Sequence, residues 1–309
     1  MKTTHRSYAE ESGDFTRLCR FIVEPRDHVR AYSTWCIGRV VDWKYGLYDS
    51  KLAVAGFCDQ NAHFWFDAFG DLVGIAISEN GDSSFAIITA PGSRFLFETI
   101  LDWVLNAWAD RGPRFTTEIT EYQDIELRVL ERRGFRCESS FSTRRFDLTR
   151  PLARRFALEP GFTIIDMRSH PDYRAQRILR ADAFDGTDAL SEEELLKHLQ
   201  LYNYSHGGPI YHPECDLCVM APNGQFVAGC EALIDTRNVE ADIERVCTKR
   251  AFRNCGFARA VIQACLERLC NMGMRSAYIT GYSDAALSLY GSLGHIDEKR
   301  CSIYEVTYV

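Results

Sequence analysis

Residues 244–262, Glu-Arg-Val-Cys-Thr-Lys-Arg-Ala-Phe-Arg-Asn-Cys-Gly-Phe-Ala-Arg-Ala-Val-Ile, carry the most specific chemical signal in this sequence. A strand pattern ends near Thr248, a short polar turn follows, and Arg253-Asn-Cys-Gly256-Phe-Ala258 opens an amphipathic helix. The first turn of a helix leaves backbone N–H groups without intrahelical partners, and the helix dipole adds partial positive charge there. Such an end suits an anion, a pyrophosphate above all. Gly256 would admit phosphates against the main chain, Ala258 would keep that approach open, and Arg253 would add charge. A second cluster, His206, His212, Cys215 and Cys218, holds donors of the kind zinc takes. Cys215 and Cys218, however, run into the strand-like Asp-Leu-Cys-Val-Met-Ala, where side chains three apart face opposite sides. Core and loop residues are therefore expected there, and no metal.

The order strand, Arg-x-x-Gly-x-Ala, helix resembles the cofactor-binding motif of the GNAT superfamily of N-acetyltransferases. Arg253, Gly256 and Ala258 satisfy it. Downstream, Ala-Leu-Ser-Leu-Tyr290-Gly-Ser-Leu-Gly294-His resembles a second motif of that family, Leu-Tyr-x-x-Leu-Gly-Phe. The sequence departs from the family pattern at His295, where Phe is usual, and at Arg250, where Pro is common. The resemblance implies that acetyl-CoA is the co-substrate. It places the pantetheine arm along Val246, Cys247 and Thr248, with an N–H near Val246 polarising the thioester carbonyl. It places the pyrophosphate on Asn254, Cys255, Gly256, Phe257 and Ala258. It makes Tyr290 the general acid to the departing thiolate, since a phenol of pKa about 10 stays protonated at neutral pH. Glu244 is the candidate base, acting through water; a solvated strand carboxylate is the other reading of that residue. Ser283 reads first as the cap of the helix carrying Tyr290 and second as a CoA contact.

The elements that must position these groups come in two sets. Shifted by 160 residues, Ile-Thr-Glu-Tyr-Gln-Asp… (119–135) falls on Ile-Thr-Gly-Tyr-Ser-Asp… (279–295) without a gap. Ile119/Ile279, Thr120/Thr280, Tyr122/Tyr282, Asp124/Asp284, Leu127/Leu287 and Gly134/Gly294 are identical pairs. Both halves read as early helices, a meander of three strands with Asn-Gly or Gly-Asp turns, a helix, a strand, a helix and a strand. The early helices are expected over 27–47 in the first half and over 171–183 and 191–204 in the second; the later long helices over 94–110 and 257–272. In the last of these, Ala258, Val261, Ile262, Cys265 and Leu269 form the apolar face, with Arg259, Gln263, Glu267 and Arg268 turned away. The fold class expected is α+β: two tandem GNAT-like domains, each a mixed, mostly antiparallel sheet flanked by helices. A degenerate domain is expected over 1–150, as scaffold and as a contributor to the acceptor site, a linker rich in Arg, Pro and Gly over 149–161, and the catalytic domain over 158–309. The first half is degenerate because 87–100 has Gly92 but no Arg-x-x-Gly-x-Ala, and because Leu130 stands where Tyr290 stands in the second.

Composition narrows the function classes. The chain has 309 residues, 46% hydrophobic and 26% charged, and a formal net charge of -7, so a disordered chain and a non-specific nucleic-acid binder are both disfavoured. No apolar run reaches the roughly 18 residues of a membrane span. Met-Lys-Thr-Thr-His-Arg-Ser leads into acidic residues, not a secretory leader. Twelve cysteines without a leader read as reduced thiols, so a cytoplasmic protein without membrane or nucleic-acid partners is expected. The leading reading is N-acetylation of a primary amine on a small molecule or peptide. The alternative is a non-catalytic acyl-CoA sensor or partner-binding protein on the same fold. The acceptor, the acyl preference and the oligomeric state stay open at this level.

Overall fold

The computed structural model describes residues 2–45, 54, 56–152, 156–187 and 189–308, without the side chains of 204 and 205. In chain order the elements are β1 (Thr4–Ser7), α1 (Asp14–Val23), α2 (Arg26–Tyr32), α3 (Ile37–Tyr45), α4 (Phe57–Asn61), β2 (Ala62–Phe66), β3 (Leu72–Ile77), β4 (Ser84–Thr89), α5 (Phe97–Ala107), β5 (Arg114–Thr120), α6 (Asp124–Arg132) and β6 (Arg136–Asp147). Then follow β7 (Thr163–Asp166), α7 (Tyr173–Arg180), α8 (Glu192–Ser205), β8 (Tyr211–Met220), β9 (Phe226–Asp235), β10 (Glu240–Thr248), α9 (Phe257–Asn271), β11 (Ser276–Gly281), α10 (Asp284–Gly291) and β12 (Asp297–Thr307). The described chain groups into two compact units: residues up to 142 together with 299–308, and residues 143–298.

In the first unit the strands run β1-β2-β3-β4-β5, with the end of β12 beside β5. Pairings are antiparallel except β4–β5, which is parallel at Ser84↔Thr116 and Phe85↔Thr117. Residues 299–308 group here because β12 lies antiparallel on β5, from Cys301↔Thr120 to Thr307↔Arg114. The core against α5 holds Trp65, Ile87, Ile100, Leu101, Trp108 and Leu130. Trp35 and Trp43 are also fully buried, and Trp103 packs partly buried against the core under α5.

The helix expected over 27–47 is two helices. Between them Trp35 is 2% exposed and the Thr34 hydroxyl bonds the Glu118 carboxylate, so tertiary contacts override the local helical pattern. Residues 46 and 47 of that expectation lie outside the described residues, as do Ala153, Arg154 and Arg155 of the expected linker. α1, α4, β1 and β7 form where the sequence pattern predicts no element.

In the second unit the order is the end of β6, then β11, β10, β9, β8 and β7. Only β10–β11 among the pairings described is parallel. α9 packs on one face of this sheet, over Leu217, Val219, Ala228, Cys230 and Ile243. α7 packs on the other, where Leu179 meets Cys218, Phe226 and Cys247. Cys215 and Cys218 thus go to opposite faces, as a period of two requires.

The predicted apolar face of α9 needs one correction. Gln263 is buried, because its Oε1 accepts the Phe156 backbone N–H at 2.7 Å. A buried amide with a partner is tolerated where an unpaired one is not.

Candidate active site

The site lies within the second unit, where β10 parts from β11. Parallel pairing runs from Glu240↔Ser276 to Ile243↔Ile279 and is not continued beyond it. At the same point the register of β10 on β9 slips by one residue, from Glu244↔Glu231 to Cys247↔Gly229. The slip is a β-bulge, and Arg245 within it has φ +52°. A left-handed conformation costs a non-glycine residue about 1–2 kcal/mol, so something must hold it. The Arg245 guanidinium bonds the Glu231 carboxylate, whose other oxygen accepts from Arg180 at 2.8 Å.

Beyond the bulge β10 ends at Thr248, and the chain turns through a short 3-10 segment, Arg250–Phe252, into α9. This turn is pinned from α7's end: the Arg250 N–H donates to Asp182 at 2.7 Å, and Arg253 donates to the Ala183 carbonyl at 3.0 Å. Asn254 has φ +64° and Gly256, the N-cap of α9, has φ +81°. No side chain caps α9, in contrast to α8, which has a full capping box, and α10, where Ser283 accepts from the Ala286 N–H. The first-turn amides of α9 are therefore left for something other than the protein's own side chains.

A cavity of about 560 Å³ opens there. Val246, Cys247, Thr248, Arg253, Asn254, Gly256, Phe257, Ala258, Ser283 and Tyr290 all line it. Two candidates do not. Cys255 is exposed, its thiol turned onto the Arg253 carbonyl at 3.6 Å, so its side chain faces away from the cavity. Glu244 lies just ahead of the bulge, half-buried, and reaches the site through its field on Tyr290. Ser283 both caps α10 and lines the cavity, so its two readings are compatible.

The lining also includes Ala183 and Phe184, which the sequence did not single out. They sit in a π-helical turn, Ala181–Asp185, that extends α7. Their one sequence signal is an aromatic before Asp-Gly186 at a helix end. Ala286 and Leu289 line it as well, four and one residues before Tyr290 on α10.

Tyr290 is 6% exposed. Its ring packs so close to β11 that a Cβ on Gly281 would lie 3.1 Å from it. Burial, and then the charge of Glu244, hold its phenol well above the ordinary value, so it stays protonated at every physiological pH. Burial pushes the Cys247 thiol up to about 12, which makes it a neutral wall, not a nucleophile.

Behind the bulge, His206, Asp216 and Glu231 bring ligand atoms within 4.8 Å of one another, and no other such group occurs among the described residues. Cys215, Cys218 and His212 are not part of it. Arg180 and Arg245 already occupy the Glu231 oxygens, and Tyr211 and Gln176 bond Asp216 at 2.9 and 2.6 Å. A guanidinium on each Glu231 oxygen opposes a cation, so Glu231 and Asp216 belong to a buried ion-pair network with half-buried His206 beside it.

This network predicts a pH effect on stability. His206 stacks on Tyr211, ring centroids 3.9 Å apart, and burial lowers its imidazole to about 4. In the unfolded chain an imidazole titrates near about 6.5. The folded form therefore resists a proton that the unfolded form accepts, and the stability this contributes above pH 6.5 or so is lost as pH falls toward 4. Asp216, raised chiefly by burial, works in the opposite sense: its contribution is lost as pH rises through its folded-state pKa. Comparing the wild type with His206→Phe isolates the first effect. On going from pH 7.5 to 5 the wild type should lose about 2 kcal/mol more than the variant, read from denaturant midpoints. Equal losses would show that His206 is not held neutral.

Residues 173–295 match the profile of the acetyltransferase (GNAT) family. The second unit carries a GNAT acetyltransferase domain. No curated protein is matched by the sequence. The whole chain is similar in structure to a GCN5-related N-acetyltransferase from Sphaerobacter thermophilus, at TM-score 0.68 and 17% identity, over 99% of this chain and 95% of that one. It is also similar to a tandem GNAT protein from the clavulanic acid biosynthesis pathway, at TM-score 0.67 and 12% identity, over 99% and 98%. An acetyltransferase of the GNAT family from Colwellia psychrerythraea gives TM-score 0.58 and 12% identity, over 98% and 99%. At these identities the likeness shows the fold, which is the tandem, mixed α+β arrangement expected. The GNAT domain's cavity spans the turn before α9 and the face of α10, both inside the matched range.

Proposed function

We propose that this protein is an acetyl-CoA-dependent N-acetyltransferase acting on a primary amine of a small molecule or peptide, with residues 1–150 as a degenerate scaffold and 158–309 as the catalytic domain. The observation that carries this reading is the uncapped N-terminus of α9 opening on the same cavity as Tyr290. The family and fold support acyl-CoA-dependent transfer in general. The residues fit such a donor. Main chain at 254–258 meets a pyrophosphate, Arg253 and Arg259 add charge, and Val246, Ala286 and Leu289 offer an apolar wall to a pantetheine arm. None of the twelve cysteines is in a disulfide, which supports a cytoplasmic setting.

Acetyl-CoA supplies an acyl group activated as a thioester, whose C–S bond breaks as the acceptor nitrogen bonds the carbonyl carbon. The Val246 main chain donates to the carbonyl oxygen as it gains charge. Tyr290 donates to the departing sulfur. Glu244, its charge close enough to be felt by Tyr290, draws the amine proton through water. In the first unit Leu130 is fully buried at the position matching Tyr290 and has no proton to give, which supports a scaffold role for that half.

Calorimetric titration with CoA, followed by thiol release from acetyl-CoA against a panel of primary amines, tests the reading. Binding with amine-dependent release is expected. Tight CoA binding with no release for any amine would favour the non-catalytic sensor, and no binding would remove both.

A further inference from the structure

We propose that Glu231 is a positioning residue for thioester polarisation: gripped by Arg180 and Arg245, it holds Arg245 in its left-handed conformation and so turns the Val246 main chain into the cavity. The inference rests on the acetyl-transfer reading above and adds residues outside the cavity lining.

The geometry is a chain of fixed parts. Arg180 ends α7, Glu231 lies mid-way along β9, and Arg245 forms the bulge of β10. All three are at most 7% exposed. Glu231 spends one oxygen on each guanidinium, and Arg180 also lies 3.5 Å from Asp216. The carboxylate therefore ties a helix, the neighbouring strand and the bulge at one point. Arg245 has φ +52° where a glycine would sit without strain. The next residue, Val246, is the first of β10 to line the cavity, and pairing with β9 resumes at Cys247↔Gly229. If Arg245 relaxed to an extended φ, the extra residue would be drawn into the ladder and Val246 would rotate away from the cavity.

Glu231→Gln removes the carboxylate that both guanidiniums bond. Removing Arg245 as well takes away the cation that Glu231 balanced, and a glycine at 245 keeps the left-handed conformation without a clamp.

The test reads the carbonyl itself. Bound [1-13C]acetyl-CoA is observed by isotope-edited infrared spectroscopy in the full chain, with its Kd measured alongside. In the wild type a donor at the carbonyl oxygen lowers the stretching frequency below that in water. In E231Q most of that lowering is expected to vanish, with Kd changed by no more than about threefold. The double variant E231Q/R245G is expected to regain it. Should E231Q fail to fold, R245A and R245G alone decide the matter: both lose the same guanidinium, and only R245G retains the lowered frequency. A wild-type frequency in E231Q, or identical spectra for R245A and R245G, overturns the inference while leaving the acetyltransferase reading intact. No acetyl-CoA binding by the wild type overturns both.

Discussion

Tyr290→Phe should lower the turnover of acetyl transfer by about two orders of magnitude, the usual reach of a single proton donor, with CoA affinity within about threefold of wild type. The phenol is almost enclosed, and its ring lies against Gly281, so Phe keeps the packing and removes only the hydroxyl. The magnitude follows from what the hydroxyl can do. Burial and the neighbouring Glu244 charge hold its pKa above the ordinary 10 or so, whereas a simple alkyl thiol titrates near about 8.5. Complete proton transfer to the thiolate is thus uphill, and the larger benefit is a hydrogen bond to sulfur while negative charge develops on it. The pH profile separates this from an ordinary acid. Because Tyr290 stays protonated, it should impose no alkaline limb on kcat up to about pH 9. Thiol release measured with the best amine of the panel gives both results. Unchanged turnover in Y290F would take Tyr290 out of the chemistry and leave it as a wall of the cavity.

What could be read from the sequence is what local pattern encodes. The strand–loop–glycine–helix order at 244–262 needs no distant partner to be visible, and the 160-residue repeat exposes Leu130 as a substitute for Tyr290. The bulge was invisible for a physical reason. Arg245 is a poor residue for φ +52°, and the partner that holds it there, Glu231, arrives from β9, with Arg180 from α7 completing the grip. The same limit explains Gln263, assigned to the polar face of α9 by periodicity. It is buried by a bond to Phe156, a residue 107 positions away. β1 is four residues, Thr-His-Arg-Ser, with no alternation; it exists because Thr4↔Phe66 to Ser7↔His63 pair it with β2. Local rules locate the glycine turn before α9 and the phenol; the bulge in the strand beside them is tertiary.

Gly256→Ala carries the second large effect, on affinity more than on turnover. At φ +81° an L side chain is strained by about 1–2 kcal/mol, which alone predicts a loss of roughly 5- to 30-fold if it falls on the bound conformation. A steric term adds to it, since a Cβ at 256 would stand 2.4 Å from the Phe156 ring. That ring is 41% exposed and can swing outward, so the steric part is the smaller and removable one. The double variant G256A/F156A separates the two: it should recover part of the CoA affinity lost in G256A and keep the backbone share of the loss. Both numbers come from CoA titrations, with the thermal midpoint as a control for folding. The strain falls on the turn whose amides point at the proposed pyrophosphate, so an acetyl donor lacking that pyrophosphate, S-acetyl-pantetheine, should bind G256A and wild type alike. If G256A binds CoA as tightly as wild type, the turn before α9 is not where the pyrophosphate rests, and the uncapped amides of that helix serve some other ligand.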